Sequence, residues 1–259
     1  MNALKETKKK HLLAILKYLY LHNSSTMNEL VENLQLSQPS IRNMVRTLQE
    51  KQLIQEVGND LSSGGRCPTR FALNEKNYLI LCLYVQVDKV IYQLRNFNEI
   101  KKEGILFYQS EDELKKTIKD LIDQEKIHCC QIAVEGIVYE DVYVTDHHNV
   151  LEKHQWLKDI KKEINIPLQL QNDVKMIHQG CYFTYQQDST YYLYINEVGI
   201  GSSYFYKDEP LYGRSGIMGE IGLISLKGKT INQQIRECQN QEEFNEILSL
   251  LLSMVFTMI

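Results

Sequence analysis

The sequence predicts a two-part α/β protein: a small, mainly helical domain over residues 1–76, then an α/β body with a mixed sheet over residues 77–259. Three observations carry this. Apolar residues recur at helical spacing through the first fifty positions and then give way to two short strand-like runs around a Gly/Ser/Asn-rich tip. From residue 78 onward short apolar runs first follow one another directly and later alternate with helical stretches, the pattern of an α/β layer architecture. Charge divides at the same place: residues 1–76 hold 11 basic and 7 acidic side chains, net +4, whereas the rest hold 18 and 26, net −8. One part is thus suited to phosphates and the other repels them. A hydrophobic content of 43% with 24% charged residues excludes a disordered or fibrous chain, and 259 residues suffice for two cores.

The first helix is read from Leu12, Leu13, Ile15, Leu16, Leu19 and Tyr20, behind a lysine cluster, and ends near Asn23. Thr26 stands three residues before Glu29, a capping box for a second helix over residues 27–33. Ser37 caps a third helix with Pro39 in its first turn, and Ile41, Val45 and Leu48 form its inward face. The rest of that helix start presents Ser37, Gln38, Ser40, Arg42, Asn43 and Arg46, side chains able to donate to base edges and phosphates. Strands at 55–57 and 70–73 then make a wing, so residues 1–76 read as a winged helix-turn-helix that binds double-stranded DNA.

In the body, the runs YLILCLYVQV and VIYQLRNF, a helix over 111–124, CCQIAVEGIV, a helix QWLKDIKKEI closed by Pro167, and the strand LQLQND follow in turn. Asn172 and Asp173 fall at the carboxyl end of a strand, where α/β proteins hold ligands. Gly199 and Gly201 are placed at the turn of a hairpin, and Gly213, Gly216, Gly219 and Gly222 punctuate a loop around Glu220.

The segment SSGGRCPTRFALN resembles the Gly-Arg-Pro wing-to-linker stretch of repressors in the ROK family (repressors, open reading frames, kinases), with Cys67 between Arg66 and Pro68. Gly64 and Gly65 would let the backbone approach a groove, Arg66 would enter the minor groove, and Arg70 would add charge. The body resembles the ROK domain, of the actin-like, ribonuclease H-like fold, through Gly136 of the GIV segment, the Asn172–Asp173 pair, VGIGSS and GIMGEIG. In the family's kinases the aspartate is the general base, and a Gly-Glu-Ile-Gly-His glutamate and histidine hold the sugar. The resemblance therefore implies a sugar-like effector at Gly136, Asn172, Asp173 and Glu220.

The departures decide against catalysis. The family's kinases open this domain with a glycine-rich phosphate loop, whereas LCLYVQVDKVIYQL has no glycine. The sugar-binding histidine is Leu223 and the cysteine-rich zinc motif is absent, so neither zinc nor another cofactor is expected. His147, His148 and His154 lack a ligand-like spacing and read as ordinary side chains. Sixteen tyrosines, dense over 182–212, read as strand and core-edge residues. Six cysteines without paired spacing and no signal peptide point to a reducing cytoplasm. The apolar run 247–259 is too short to span a membrane and reads as a buried helix. Against related regulators the chain lacks a final strand and helix, so a truncated body, or a partner on the exposed face, is expected. The sequence thus predicts a homodimeric regulator, a repressor of sugar-related genes reading a palindromic operator and sensing a sugar or sugar phosphate. The alternatives are a sugar kinase with an accessory DNA-binding domain, and a DNA-binding protein whose acidic domain is a dimerisation scaffold without sensing.

Overall fold

A computed structural model describes residues 2–60, 67–147, 150–185, 189–196, 199–206 and 209–258. They form two compact units: Met1–Leu81 with Gln93–Gly104 and Ile122–Cys129, and Cys82–Tyr92 with Ile105–Leu121 and Cys130–Ile259. The sequence places a boundary at residue 76. In the structure the dividing line runs instead through four strands of the body, because the first unit also takes in their ends.

The first unit begins with α1 (Asn2–His22), β1 (Ser25–Thr26), α2 (Met27–Leu34), α3 (Gln38–Glu50), β2 (Ile54–Asn59) and β3 (Thr69–Leu73). The capping box is present: the Glu29 amide donates to Thr26 Oγ1 at 3.3 Å and the Thr26 amide to Glu29 Oε2 at 2.8 Å. At its other end α2 stops on Gln35 in the left-handed conformation, φ 53°. Ser37 caps α3 by accepting from the Ser40 amide, and Pro39 occupies its first turn. Ile15, Leu19, Leu30, Ile41, Val45, Leu48 and Phe71 join the helices and sheet into one core, each buried side chain contributing about 2 kcal/mol. The strands pair antiparallel in the order β1-β3-β2. A bulge at Glu56/Gly58 skews β2 near its end. Gly64, Gly65 and Arg66, assigned to DNA contact from the sequence, lie outside the described residues.

The body carries a five-stranded sheet of order β11-β7-β4-β5-β6, built from β4 (Ile80–Val85), β5 (Lys89–Arg95), β6 (Ile100–Phe107), β7 (Cys129–Val134) and β11 (Leu168–Asn172). Three consecutive strands are followed by a parallel β7–β11 pair. Helix α4 (Glu111–Asp123) precedes β7 and α5 (Trp156–Glu163) precedes β11. Alternating burial along β4 and β5 shows the pleat facing a core.

Between β7 and α5 lies an antiparallel sheet that the sequence reading missed: β8 (Ile137–Tyr139), β9 (Val142–His147) and β10 (Val150–His154). Its strands are short and contain Glu, Asp, Lys and His, so no clean alternation marks them. Helix α6 (Asp173–Tyr185) leads to β12 (Ser189–Ile195), β13 (Ile200–Tyr206) and β14 (Glu209–Pro210). The predicted hairpin forms, but Gly201 sits inside β13 opposite Tyr194 rather than at the turn. There a Cβ would come within 2.8 Å of Val174 Cγ2, so the glycine admits α6 against the strand. Helices α7 (Ile231–Glu237) and α8 (Gln241–Met258) follow. The buried reading of the last helix needs correction: Leu251 and Val255 are buried, whereas Leu250 and Leu252 remain exposed. No helix is long and apolar enough to cross a membrane among the described residues.

Candidate functional site

Helix α3 is two-faced. Ile41, Met44, Val45 and Leu48 are buried. Gln38, Arg42, Asn43 and Arg46 are exposed together near its N-terminal end. Ser37 and Ser40 are engaged with each other, Ser37 Oγ donating to Ser40 Oγ at 2.9 Å, so they fix the helix start. Arg46 Nε lies 3.6 Å from Glu50 Oε1 with both side chains well exposed, a contact worth little in water. Arg42 has no ion-pair partner among the described residues.

Arg70 is placed differently from the sequence expectation. Its Nη1 donates to both Asp60 oxygens at 2.9 Å, and its Nη2 reaches Glu29 Oε2 at 3.1 Å. Its Nε donates to Ser24 Oγ at 3.2 Å. The hydrogen bonds it donates to Asp60, helped by the Glu29 charge, hold the guanidinium pKa above its ordinary value. Arg70 therefore ties β3 to the α2 N-terminus and to the end of β2. Its charge is already balanced, and it is a positioning residue rather than a free phosphate donor.

The second constellation lies at the carboxyl ends of β4, β7 and β11. Asn172, the last residue of β11, donates from Nδ2 to the Gly136 carbonyl at 2.9 Å and accepts the Lys175 amide at 3.0 Å. It thereby clamps the β7–β8 turn to the start of α6. Gly136 has φ +109°, and a Cβ there would meet the Val144 carbonyl oxygen at 2.2 Å, so only glycine fits. Asp173 is the first residue of α6; its Oδ1 accepts the Val174 amide at 2.8 Å. Its Oδ2 lies 3.2 Å from the Tyr84 hydroxyl, which also donates to Glu135 Oε1 at 2.7 Å. Burial pushes the Asp173 pKa up to about 6, with Glu135 adding repulsion and the Val174 amide opposing.

Glu220 stands in a loop held by Gly219, whose φ is +95° and whose Cβ would strike the Ser202 carbonyl at 2.2 Å. Burial raises the Glu220 pKa to about 7 against the pull of Lys175, and Asp173 raises it further. Lys175 is 1% exposed. Its Nζ donates to the Gly216 carbonyl at 3.0 Å, lies 4.0 Å from Glu220 Oε1 and sits 5.6 Å from the centre of the Tyr212 ring. Burial lowers the lysine's pKa and Glu220 opposes that shift.

All four effector residues expected from the sequence, Gly136, Asn172, Asp173 and Glu220, thus meet in one neighbourhood. The reading missed Tyr84, Glu135 and Lys175. A lysine two residues into a helix gives no sign of burial, and Tyr84 and Asp173 are 89 residues apart. Two carboxyl groups that titrate near neutrality, together with amide and hydroxyl groups, can accept from and donate to a polyhydroxylated ligand.

The segment expected to differ from a phosphate loop is a tight β4–β5 connection in which the Gln86 amide donates to the Lys89 carbonyl at 2.9 Å. Leu223 lies in a single 3₁₀ turn after Glu220. The described residues contain no group of three or more His, Cys, Asp or Glu able to hold a metal ion. His154 instead contacts Glu111 through Nδ1 at 2.9 Å and Thr145 Oγ1 through Nε2 at 3.1 Å, while His148 lies outside the described residues.

Sheet order, the Asn-Asp strand end and the glycine-bounded glutamate together define a body of one class, and comparison with known proteins identifies it. The model of the ROK family matches residues 104–249, more than half of the chain, and the chain belongs to that family. It is 24% identical over 229 residues to the xylose repressor of Staphylococcus xylosus, covering 80% of this chain and 58% of the relative. It is also similar to the crystal structure of a ROK family transcriptional regulator described as a homologue of the E. coli MLC protein. That match has a TM-score of 0.66 at 16% identity and covers 88% of this chain and 64% of the other. The chain therefore spans about three fifths of the length of these relatives.

Proposed function

We propose that this chain is a transcriptional repressor of sugar-related genes that binds operator DNA through a winged helix-turn-helix and senses a small sugar or sugar phosphate without phosphorylating it. The observation that carries the reading is α3: a capped helix with one face in the core and Gln38, Arg42, Asn43 and Arg46 exposed together on the other. Such a face presents a guanidinium fork for guanine edges or phosphates and an amide for adenine. A relative that is a xylose repressor supports the assignment. The ROK body would act as effector and dimerisation domain. Two recognition helices related by a two-fold axis would read a palindrome, and effector binding would shift the population of DNA-competent arrangements.

A kinase needs a backbone cradle for the transferred phosphoryl group. Here the β4–β5 turn commits its Gln86 amide to the ladder and contains no glycine. The reading is tested by fluorescence anisotropy with DNA from upstream of the chain's own gene. Arg42→Ala should weaken binding about fivefold or more, one charge-assisted contact being worth about 1–3 kcal/mol. Unchanged affinity in both Arg42→Ala and Arg46→Ala would remove α3 from the interface. ATP turnover over a sugar panel, abolished by Asp173→Asn, would establish the kinase instead.

A further inference from the structure

We propose that a separate cavity of the body, about 370 Å³ in volume, binds a small organic cation with an apolar or aromatic body and an ammonium head. The cavity is walled by the β4–β5 turn, the start of α4, β9, β10 and the first residue of α5. Asp173, Lys175 and Glu220 do not line it, so it opens beside the constellation described above, with Glu135 common to both, and the proposal does not rest on the sugar-sensing reading.

Its floor is apolar and aromatic. Val85, Leu114, Tyr143 and Trp156 are buried there. The Trp156 Nε1 donates to the Tyr143 hydroxyl at 3.1 Å, and Tyr143 stacks on His154 with ring centroids 4.6 Å apart. These bonds lock the rings, so the floor is preorganised. Its rim is acidic. Asp88, Glu111, Glu135 and Glu152 all line the cavity, and no lysine or arginine does. The one basic group among the lining residues, His154, is held between Glu111 and Thr145. Val87 on the rim is 64% exposed, an apolar contact at the mouth.

The acceptor arithmetic favours a donor-only ligand. A carboxylate offers about four lone-pair sites. Both hydrogen bonds given to the Glu135 carboxylate, from Tyr84 at 2.7 Å and from Gln86 Nε2 at 3.2 Å, fall on Oε1. Among the described residues no lysine or arginine pairs with Asp88 or Glu152, and the basic group beside Glu152 is His154, whose Nε2 lies 4.0 Å from Glu152 Oε2. An anionic ligand would face four like charges, and a neutral polyol would leave them uncompensated. An ammonium group supplies three donors and a positive charge to the rim while an apolar body lies on the rings of the floor. Glu135 belongs to both places: it lines the cavity and shares the Tyr84 hydroxyl with Asp173.

Trp156 is the single tryptophan of the chain and forms part of the cavity floor, which makes its fluorescence a direct readout. Titration with 2-phenylethylamine should change that fluorescence saturably, and the neutral isostere 2-phenylethanol should bind at least about tenfold more weakly. Glu135→Gln and Glu152→Gln should each weaken the amine several-fold and leave the alcohol unchanged. Should Glu135→Gln fail to fold, Asp88→Asn and Glu152→Gln on the exposed rim carry the test. Equal affinity for amine and alcohol, no saturable response to the amine, or unaltered amine affinity in the folded variants would overturn the proposal. So would a saturable response to xylose that the amine competes away, which would make the cavity a sugar site. Loss of DNA binding in Arg42→Ala leaves the amine titration unchanged, so failure of either reading is seen separately.

Discussion

At the scale of single residues, Asp173 concentrates the chemistry of the body. Its carboxyl is raised from 3.8 to about 6 because burial costs the anion more than the Val174 amide and Tyr84 hydroxyl return. A group whose pKa is higher in the folded state binds its proton more tightly when folded. The stability it contributes is complete below about pH 4 and is lost as pH rises through about 6. A shift of about two units corresponds to at most about 3 kcal/mol. Asparagine keeps an acceptor for both donors without the charge. Asp173→Asn should therefore raise the melting temperature by several degrees at pH 8 and change it little at pH 4. An equal shift at both pH values would place the effect in packing rather than in the charge. Glu220 is raised for the same leading reason, yet Glu220→Gln should not mirror this, because it strips the buried Lys175 of its carboxylate partner.

At the scale of elements, what the sequence makes legible is what neighbours in the chain decide. The Thr26/Glu29 box and the Ser37 cap operate across three residues, and both appear as expected. The strand end at Asn172 was legible for the same reason, although Asp173 proves to open α6. The β8–β10 sheet, the Tyr84–Glu135–Asp173 bridge and the burial of Lys175 depend on partners tens of residues away, and no local pattern announces them. Arg70 shows the same limit: its composition suggests DNA contact, while its partners Glu29 and Asp60 make it a tie between elements. Arg70→Met should accordingly lower the thermal stability of the first unit, by about 1 kcal/mol for a partly exposed network. Well below the melting temperature it should leave the salt dependence of operator binding intact. A flattened salt dependence in the folded variant would return Arg70 to the interface.

At the scale of the whole molecule, the uneven charge is the property that a net value of −4 conceals, with +4 in residues 1–76 and −8 in the remainder. A body of net negative charge gains nothing from non-specific contact with nucleic acid, so affinity has to come from the cationic groups of the N-terminal part. Each phosphate neutralised releases condensed counterions, and the logarithm of the binding constant falls with the logarithm of salt at about −0.9 per phosphate contact. Operator affinity should therefore drop at least about tenfold between 50 and 200 mM salt. If Arg42 and Arg46 contact phosphates, each alanine variant flattens the slope by about one unit for every chain bound, and hence by about two in a two-fold complex. If either arginine reads a base edge instead, its variant loses affinity for the operator over unrelated DNA while the slope stays nearly constant. The pair of measurements assigns a role to each arginine. A slope near zero in the unaltered protein would contradict DNA binding through this charged face.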